Sequence, residues 1–163
     1  MALAQRRHPR LKDYDYSQNG CYFITICTKN RKRLFWDAGR DDLIPPQYAL
    51  SSLGAVVKSH IESIPTAYQD VFIDSYVIMP NHIHFLLRID CLLQSDAGDA
   101  PHRPVLSTMI HGLKSLTTRK AGFPIWQDSF YEHVIRSDAD YQAIWNYIED
   151  NPRKWEEDCY HME

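Results

Sequence analysis

The stretch VFIDSYVIMPNHIHFLLRI, residues 71–89, decides the fold. Two runs rich in β-branched and aromatic residues flank Pro80-Asn81, a pair that belongs in a tight turn, so the stretch reads as two adjacent strands. Upstream, CYFITICTK at 21–29 follows Gly20, has the same composition and reads as an earlier strand. Between them Leu53, Val56, Val57, His60, Ile61 and Ile64 recur at i, i+3, i+4, which predicts an amphipathic helix capped by Ser51 or Ser52 and ending at Pro65. Downstream, residues 105–121 predict a second helix with Val105, Met109, Leu113 and Leu116 on its apolar face and a cationic last turn, closed by Gly122 and Pro124. IWQDSFYEHVI at 125–135 reads as extended. A third helix starts at Ser137, carries Asp138 and Asp140 in the first turn where the helix dipole favours anions, and runs through Tyr147 towards Asn151 until Pro152 stops it. The order βαββαβ plus a helix predicts a ferredoxin-like α+β antiparallel sheet with helices on one face and a C-terminal helix carrying Tyr147. That architecture hosts many activities, so function must come from the residues displayed on it.

The 163 residues leave room for one domain, expected over 19–163, behind a basic N-terminal arm over 1–18. Residues 37–50 and 90–104 read as loops. Hydrophobic residues at 44% and charged residues at 24% exclude disorder over most of the length. No run approaches the ~20 apolar residues that span a bilayer, and the first residues lack the apolar core of a secretory signal, so a cytoplasmic protein is expected. Cys21, Cys27, Cys91 and Cys159 form no CxxC pair and read as reduced thiols.

The net charge of −3 argues weakly against a nucleic-acid partner, but its distribution argues for one. Residues 1–36 carry a net +6, from Arg6, Arg7, Arg10, Lys12, Lys29, Arg31, Lys32 and Arg33 against two acids. Residues 100–127, with Arg103, Lys114, Arg119 and Lys120, carry +4 and no acid. Two basic stretches converging on one face would attract a phosphate backbone whatever the total charge. A solvated tail and a solvated helix face would look the same in sequence.

His82-Ile83-His84 is the sharpest chemical feature. Side chains alternate along a strand, so both imidazoles point to one face while Ile83 and Phe85 point to the other. Two imidazoles make half of a divalent-metal site; two hydrogen-bonded sheet histidines would show the same pattern. HExxH is absent, which removes the usual ligand set of a zinc hydrolase. Tyr147 and Asn151 stand four residues apart and share a helix face, where Tyr147 could equally be a packing residue.

YFITICTKNR at 22–31, VIMPNHIHFLL at 77–87 and WQDSFYEHVIRSDADYQAIWNYIEDNPRKW at 126–155 together resemble the REP-associated tyrosine transposases, a branch of the HUH single-strand DNA transposases and nucleases. The resemblance implies paired metal ligands at His82 and His84, a nucleophile at Tyr147 and a third ligand at Asn151, one turn after the tyrosine. It implies Mg²⁺ or Mn²⁺ as cofactor, and a substrate of single-stranded DNA folded into REP-like hairpins. Attack by Tyr147 would give a 5′-phosphotyrosine and free a 3′-hydroxyl, conserving the phosphodiester energy for rejoining. Arg6, Arg7, Arg10, Lys29, Arg31, Lys32, Arg33, Lys114, Arg119 and Lys120 are the expected DNA contacts; Trp126 and Phe130 are candidates to stack on bases, with core packing the favoured reading for Trp126. The resemblance implies a monomer. The alternatives are a retired transposase that still binds hairpin DNA and an RNA-binding module; no K/R-G-F/Y-x-F/Y string supports the second.

Overall fold

The computed structural model describes residues 14–16, 18–37, 50–90 and 105–161. The predicted arm (apart from residues 14–16 and 18), most of the two predicted loops, and Arg6, Arg7, Arg10 and Cys91 lie outside the described residues. Strand β1 spans Gly20–Cys27 and leads into a 3-10 turn at Lys29–Arg31. Helix α1 spans Ser52–Ala67, β2 Val71–Met79, β3 His82–Ile89, α2 Leu106–Ala121, β4 Tyr131–Ile135 and α3 Asp138–Asp150; a second 3-10 segment, Asn151–Glu157, follows. The sheet order is β2-β3-β1-β4 with every pairing antiparallel, the predicted ferredoxin-like topology.

The pleat sorts the sheet into two unequal cores. Tyr22, Ile24 and Ile26 of β1 and Ile83, Phe85, Leu87 and Ile89 of β3 face α1 and α2, where Val57, Ile61, Ile64, Leu106, Met109 and Leu113 close the larger core. On the opposite face Phe23 and Leu86 meet Ile144 and Ile148 of α3, with Tyr141, Trp145 and Tyr147 around them. The imidazoles of β3 belong to this second face, so α3 is the lid over them.

Local chemistry explains the element ends. The Ser51 hydroxyl accepts the Gly54 N–H at 3.0 Å and caps α1. Ser137 does the same for α3 through the Asp140 N–H. Gly122 ends α2 at φ +80, the left-handed conformation that glycine adopts without strain.

Three boundaries differ from the sequence reading. α1 continues past Pro65 to Ala67: so near the end, the missing proline N–H leaves only one carbonyl unpaired, and the Tyr68 N–H still closes on the Ile64 carbonyl. In α2 the apolar stripe is Leu106, Met109, Ile110, Leu113 and Thr117, while Leu116 is 43% exposed; Val105 is the N-cap, so the predicted stripe was rotated. The extended reading of 125–135 shortens to β4. Ile125 and Trp126 are buried instead through an isolated bridge from Thr28 to Trp126. Trp126 packs on Phe35 with centroids 5.2 Å apart and donates to the Thr117 hydroxyl, so it is a core residue. Phe130 lies half-buried against the same core. Among the described residues Cys21, Cys27 and Cys159 are free thiols, and no helix is long and apolar enough to cross a membrane.

Candidate active site

β3 is a central strand, with Cys27 opposite His82 and Thr25 opposite His84 on β1. Both imidazoles are fully buried. Their outer nitrogens are held. His84 Nδ1 lies 2.7 Å from the Thr25 hydroxyl, and His82 Nδ1 lies 2.8 Å from Asn81 Oδ1. The Asn81 amide is oriented by its own Nδ2, which donates to the carbonyls of Tyr160 and Arg31. Its Oδ1 can therefore only accept, and His82 must carry its proton on Nδ1. The Nε2 lone pair of His82 is left buried with no hydrogen-bond partner. This is the tautomer a metal-ligating histidine takes.

Burial holds both rings neutral. It pulls His84 down to about 3. It pulls His82 well below its ordinary value, with His84 and then Arg31 acting in the same direction.

α3 brings Tyr147 over this pair. Its hydroxyl stands 3.4 Å from His84 Nε2, and the two rings meet edge-on at 5.3 Å. Phe23 supports both rings from below, stacked on His84 at 5.2 Å and edge-on to Tyr147 at 6.0 Å. Burial pushes the phenol up, as do Asp158 and Cys159, while a hydrogen bond from Asn151 opposes them. Asn151, 4% exposed, follows α3 directly, and its Oδ1 is buried without a hydrogen-bond partner. Its side chain also eases ionisation of Asp158, whose carboxyl burial pushes up.

Asp158 is the residue that sequence reasoning missed. The 3-10 segment after α3 returns the chain so that its carboxylate Oδ2 stands 3.5 Å from His82 Nε2, with its side chain 2% exposed and that oxygen without a hydrogen bond. His82, His84 and Asp158 offer ligand atoms that all lie within 4.8 Å of one another. In sequence Asp158 is one acid in an acidic C-terminal block, on an irregular segment with no period to mark it. Tyr160 completes the enclosure, its ring 4.6 Å from that of His82 and 5.7 Å from that of His84.

The described basic residues divide. Lys29, Lys32 and Arg33 are exposed on the turn after β1, at the His82 end of the sheet, whereas Arg31 turns inward. α2 lies across the sheet from the histidines, but the Thr28–Trp126 bridge and a bond from the Lys29 N–H to the Ile125 carbonyl tie its C-terminal region to this end. Arg119 and Lys120 are exposed there, beside a cleft lined by His111, Lys114, Thr118, Arg119, Trp126 and Gln127. Lys114 is committed elsewhere. Its ammonium donates to the carbonyls of Gln127 and Asp128.

Known proteins are similar to this chain in sequence and in fold. The chain is 36% identical to an uncharacterized protein of Haemophilus influenzae, in an alignment covering 99% of this chain and 96% of that protein. It is 28% identical to the REP-associated tyrosine transposase of Escherichia coli, over 85% of this chain and 70% of that one. The fold matches the solved structure of a REP-associated tyrosine transposase bound to a REP hairpin, with a TM-score of 0.57 and 23% identity over 95% of this chain and 74% of that one. No family model matches. In sequence and in fold the chain is similar to the REP-associated tyrosine transposases. In this chain His82, His84, Tyr147 and Asn151 come together from β3 and the end of α3, and Asp158 joins them from the tail.

Proposed function

We propose that the chain is a metal-dependent single-strand DNA endonuclease and strand transferase that cuts and rejoins DNA at REP-like hairpins through Tyr147. One observation carries this reading. A phenol stands 3.4 Å from a buried neutral imidazole, among three buried acceptor atoms, on His82, Asn151 and Asp158, that have no hydrogen-bond partners. Buried acceptors without donors are costly, and a set of two nitrogens and two oxygens suits a divalent cation. His82, His84 and Asn151, with Asp158 as a further oxygen, would hold Mn²⁺ or Mg²⁺, which when bound supplies Lewis-acid polarisation of the scissile phosphate.

The chain's own residues do the rest. Asn81 fixes the His82 tautomer, and the Thr25 hydroxyl orients the His84 ring. Phe23, Ile144 and Ile148 hold α3 at the height that puts the phenol over the site. Tyr147 Oη forms the new bond to phosphorus and gives up its proton; the 3′-oxygen leaves and takes one, so charge and atoms balance, and the reverse step rejoins the strand. Lys29, Lys32, Arg33, Arg119 and Lys120 supply the cationic surface for the hairpin, Lys114 shapes the cleft, and Arg6, Arg7 and Arg10 add positive charge for the same partner. Because Tyr147 meets His84 of its own chain, a monomer suffices.

The second reading is a hairpin binder without chemistry. The Asp158–Tyr160 cover over the histidines and the suppressed ionisation of Tyr147 favour it. The test incubates single-stranded oligonucleotides from both strands flanking the gene with protein and Mn²⁺, and looks for a covalent adduct on a denaturing gel. An adduct that vanishes in Tyr147→Phe and with EDTA is expected. Mobility-shift binding with no adduct overturns the enzyme in favour of the binder.

A further inference from the structure

Four cations, Lys29, Arg31, Lys32 and Arg33, follow β1, and three of them point to solvent. Arg31 does not. Its Nη1 is buried and has no hydrogen-bond partner, although a guanidinium offers five donors and is costly to bury without acceptors. The backbone that places it is strained. Asn30 and Arg31 take φ values of 57 and 54, the left-handed region, which asparagine tolerates and arginine rarely adopts. Strain held at a non-glycine residue marks a side chain whose position matters more than local comfort.

That position is the active site. The guanidinium lies 4.5 Å over the Tyr160 ring, which in turn covers His82. The Arg31 carbonyl accepts from Asn81, the residue that sets the His82 tautomer, so loop and ligand are fixed by one side chain. Of the buried side-chain atoms left without a hydrogen bond, His82 Nε2, Asn151 Oδ1 and Asp158 Oδ2 are acceptors suited to a cation, and Arg31 Nη1 is a donor suited to an anion. The site thus carries both halves of a recognition set for a phosphodiester with its metal. Arg33, by contrast, contacts Trp155 and His161 at the surface.

We propose that Arg31, alone among the basic residues of the 29–33 turn, grips a non-bridging oxygen of the phosphodiester that Tyr147 attacks, while its neighbours hold the flanking strand. The proposal rests on the reading of Tyr147 as nucleophile. It separates two kinds of lysine and arginine variant. Loss of a phosphate-backbone contact lowers affinity and the salt dependence of binding; loss of a contact to the reacting phosphate lowers the rate on DNA already bound.

The test compares wild type with Arg31→Gln, Arg31→Lys and Lys32→Gln in four measurements: adduct formation at saturating hairpin oligonucleotide, hairpin affinity by fluorescence anisotropy, melting temperature, and the rise in melting temperature given by tungstate as a phosphate mimic. R31Q is expected to slow adduct formation by about 100-fold, the scale seen when one donor to a developing oxyanion is removed. Its affinity should change less than about threefold, and R31K should restore only part of the rate, because a point charge replaces a fork. K32Q should weaken binding by a larger factor than it slows the saturated rate. R31Q should melt no lower than wild type, since a buried N–H donor without an acceptor has been removed, and tungstate should protect wild type but not R31Q. A lower melting point with parallel losses of rate and affinity overturns the proposal, as does equal protection of both by tungstate. If wild type forms no adduct while tungstate still distinguishes the two, the nucleophile reading falls and Arg31 stands as an anion site.

Discussion

Thr25→Val removes one hydroxyl and keeps the shape of the side chain. Thr25 is 2% exposed and His84 fully buried, and the bond between them is 2.7 Å. For His84 Nε2 to serve a metal, Nδ1 must carry the proton and donate to that hydroxyl. The valine leaves this N–H buried without an acceptor, which costs about 1–3 kcal/mol. In a chain of this size each kcal/mol lowers the melting temperature by roughly 2–4 °C, so a loss between about 2 and 12 °C is expected in EDTA. Metal affinity should fall as well. Loss of an outer partner to a ligating histidine weakens binding about 10–100-fold, or about 1.4–2.7 kcal/mol. Differential scanning calorimetry reads the first number and isothermal titration with Mn²⁺ the second. A variant that melts lower yet binds Mn²⁺ as wild type does would refute the assignment of His84 as a ligand oriented by Thr25. A variant unchanged in both would refute the bond itself.

Acid should unfold the metal-free protein through its histidines. His84 is held near 3 in the fold against an ordinary value of 6.5, so its contribution is complete above pH 6.5 and is lost as pH falls towards 3, at about 1.4 kcal/mol per unit. His82 acts in the same direction, and urea denaturation at pH 7, 5.5 and 4.5 that gave one flat value would contradict neutral burial. Gly54→Ala should destabilise although alanine is the better helix former by about 1 kcal/mol. The new Cβ would run into the Phe35 carbonyl oxygen, and overpacking against backbone costs about 1–3 kcal/mol, so a rise in the urea midpoint would deny that close approach. Ser137→Ala removes the acceptor for the Asp140 N–H and should cost about 0.5–2 kcal/mol in the same assay. An unchanged midpoint would mean the cap carries no weight.

The architecture was legible wherever a period or a punctuation mark wrote it down. Pro80-Asn81 separates two apolar runs, and period two put His82 and His84 on one face. The i, i+4 spacing aligned Tyr147 with Asn151, and the two chain segments do meet. What stayed hidden has a physical reason in each case. Asp158 rides on an irregular segment after α3, where no spacing rule applies. Arg31 is indistinguishable from Lys29, Lys32 and Arg33 by composition, and only the left-handed backbone turns it inward. Lys114 reads as a free cation until the carbonyls of Gln127 and Asp128 occupy it. The rotated stripe of α2 arose because several phases fit its mixed pattern, and only packing against α1 selects one.

The smaller core works as a shim. Phe23, Leu86, Ile144 and Ile148 are the buried apolar layer between the sheet and α3, and their combined thickness sets the gap between the phenol and the imidazoles. Trimming a methylene from Ile148 or Leu86 would change that gap without touching any polar atom. A lineage can therefore retune the reach of Tyr147 by fractions of an ångström through greasy substitutions alone, leaving every polar side chain of the site as it is.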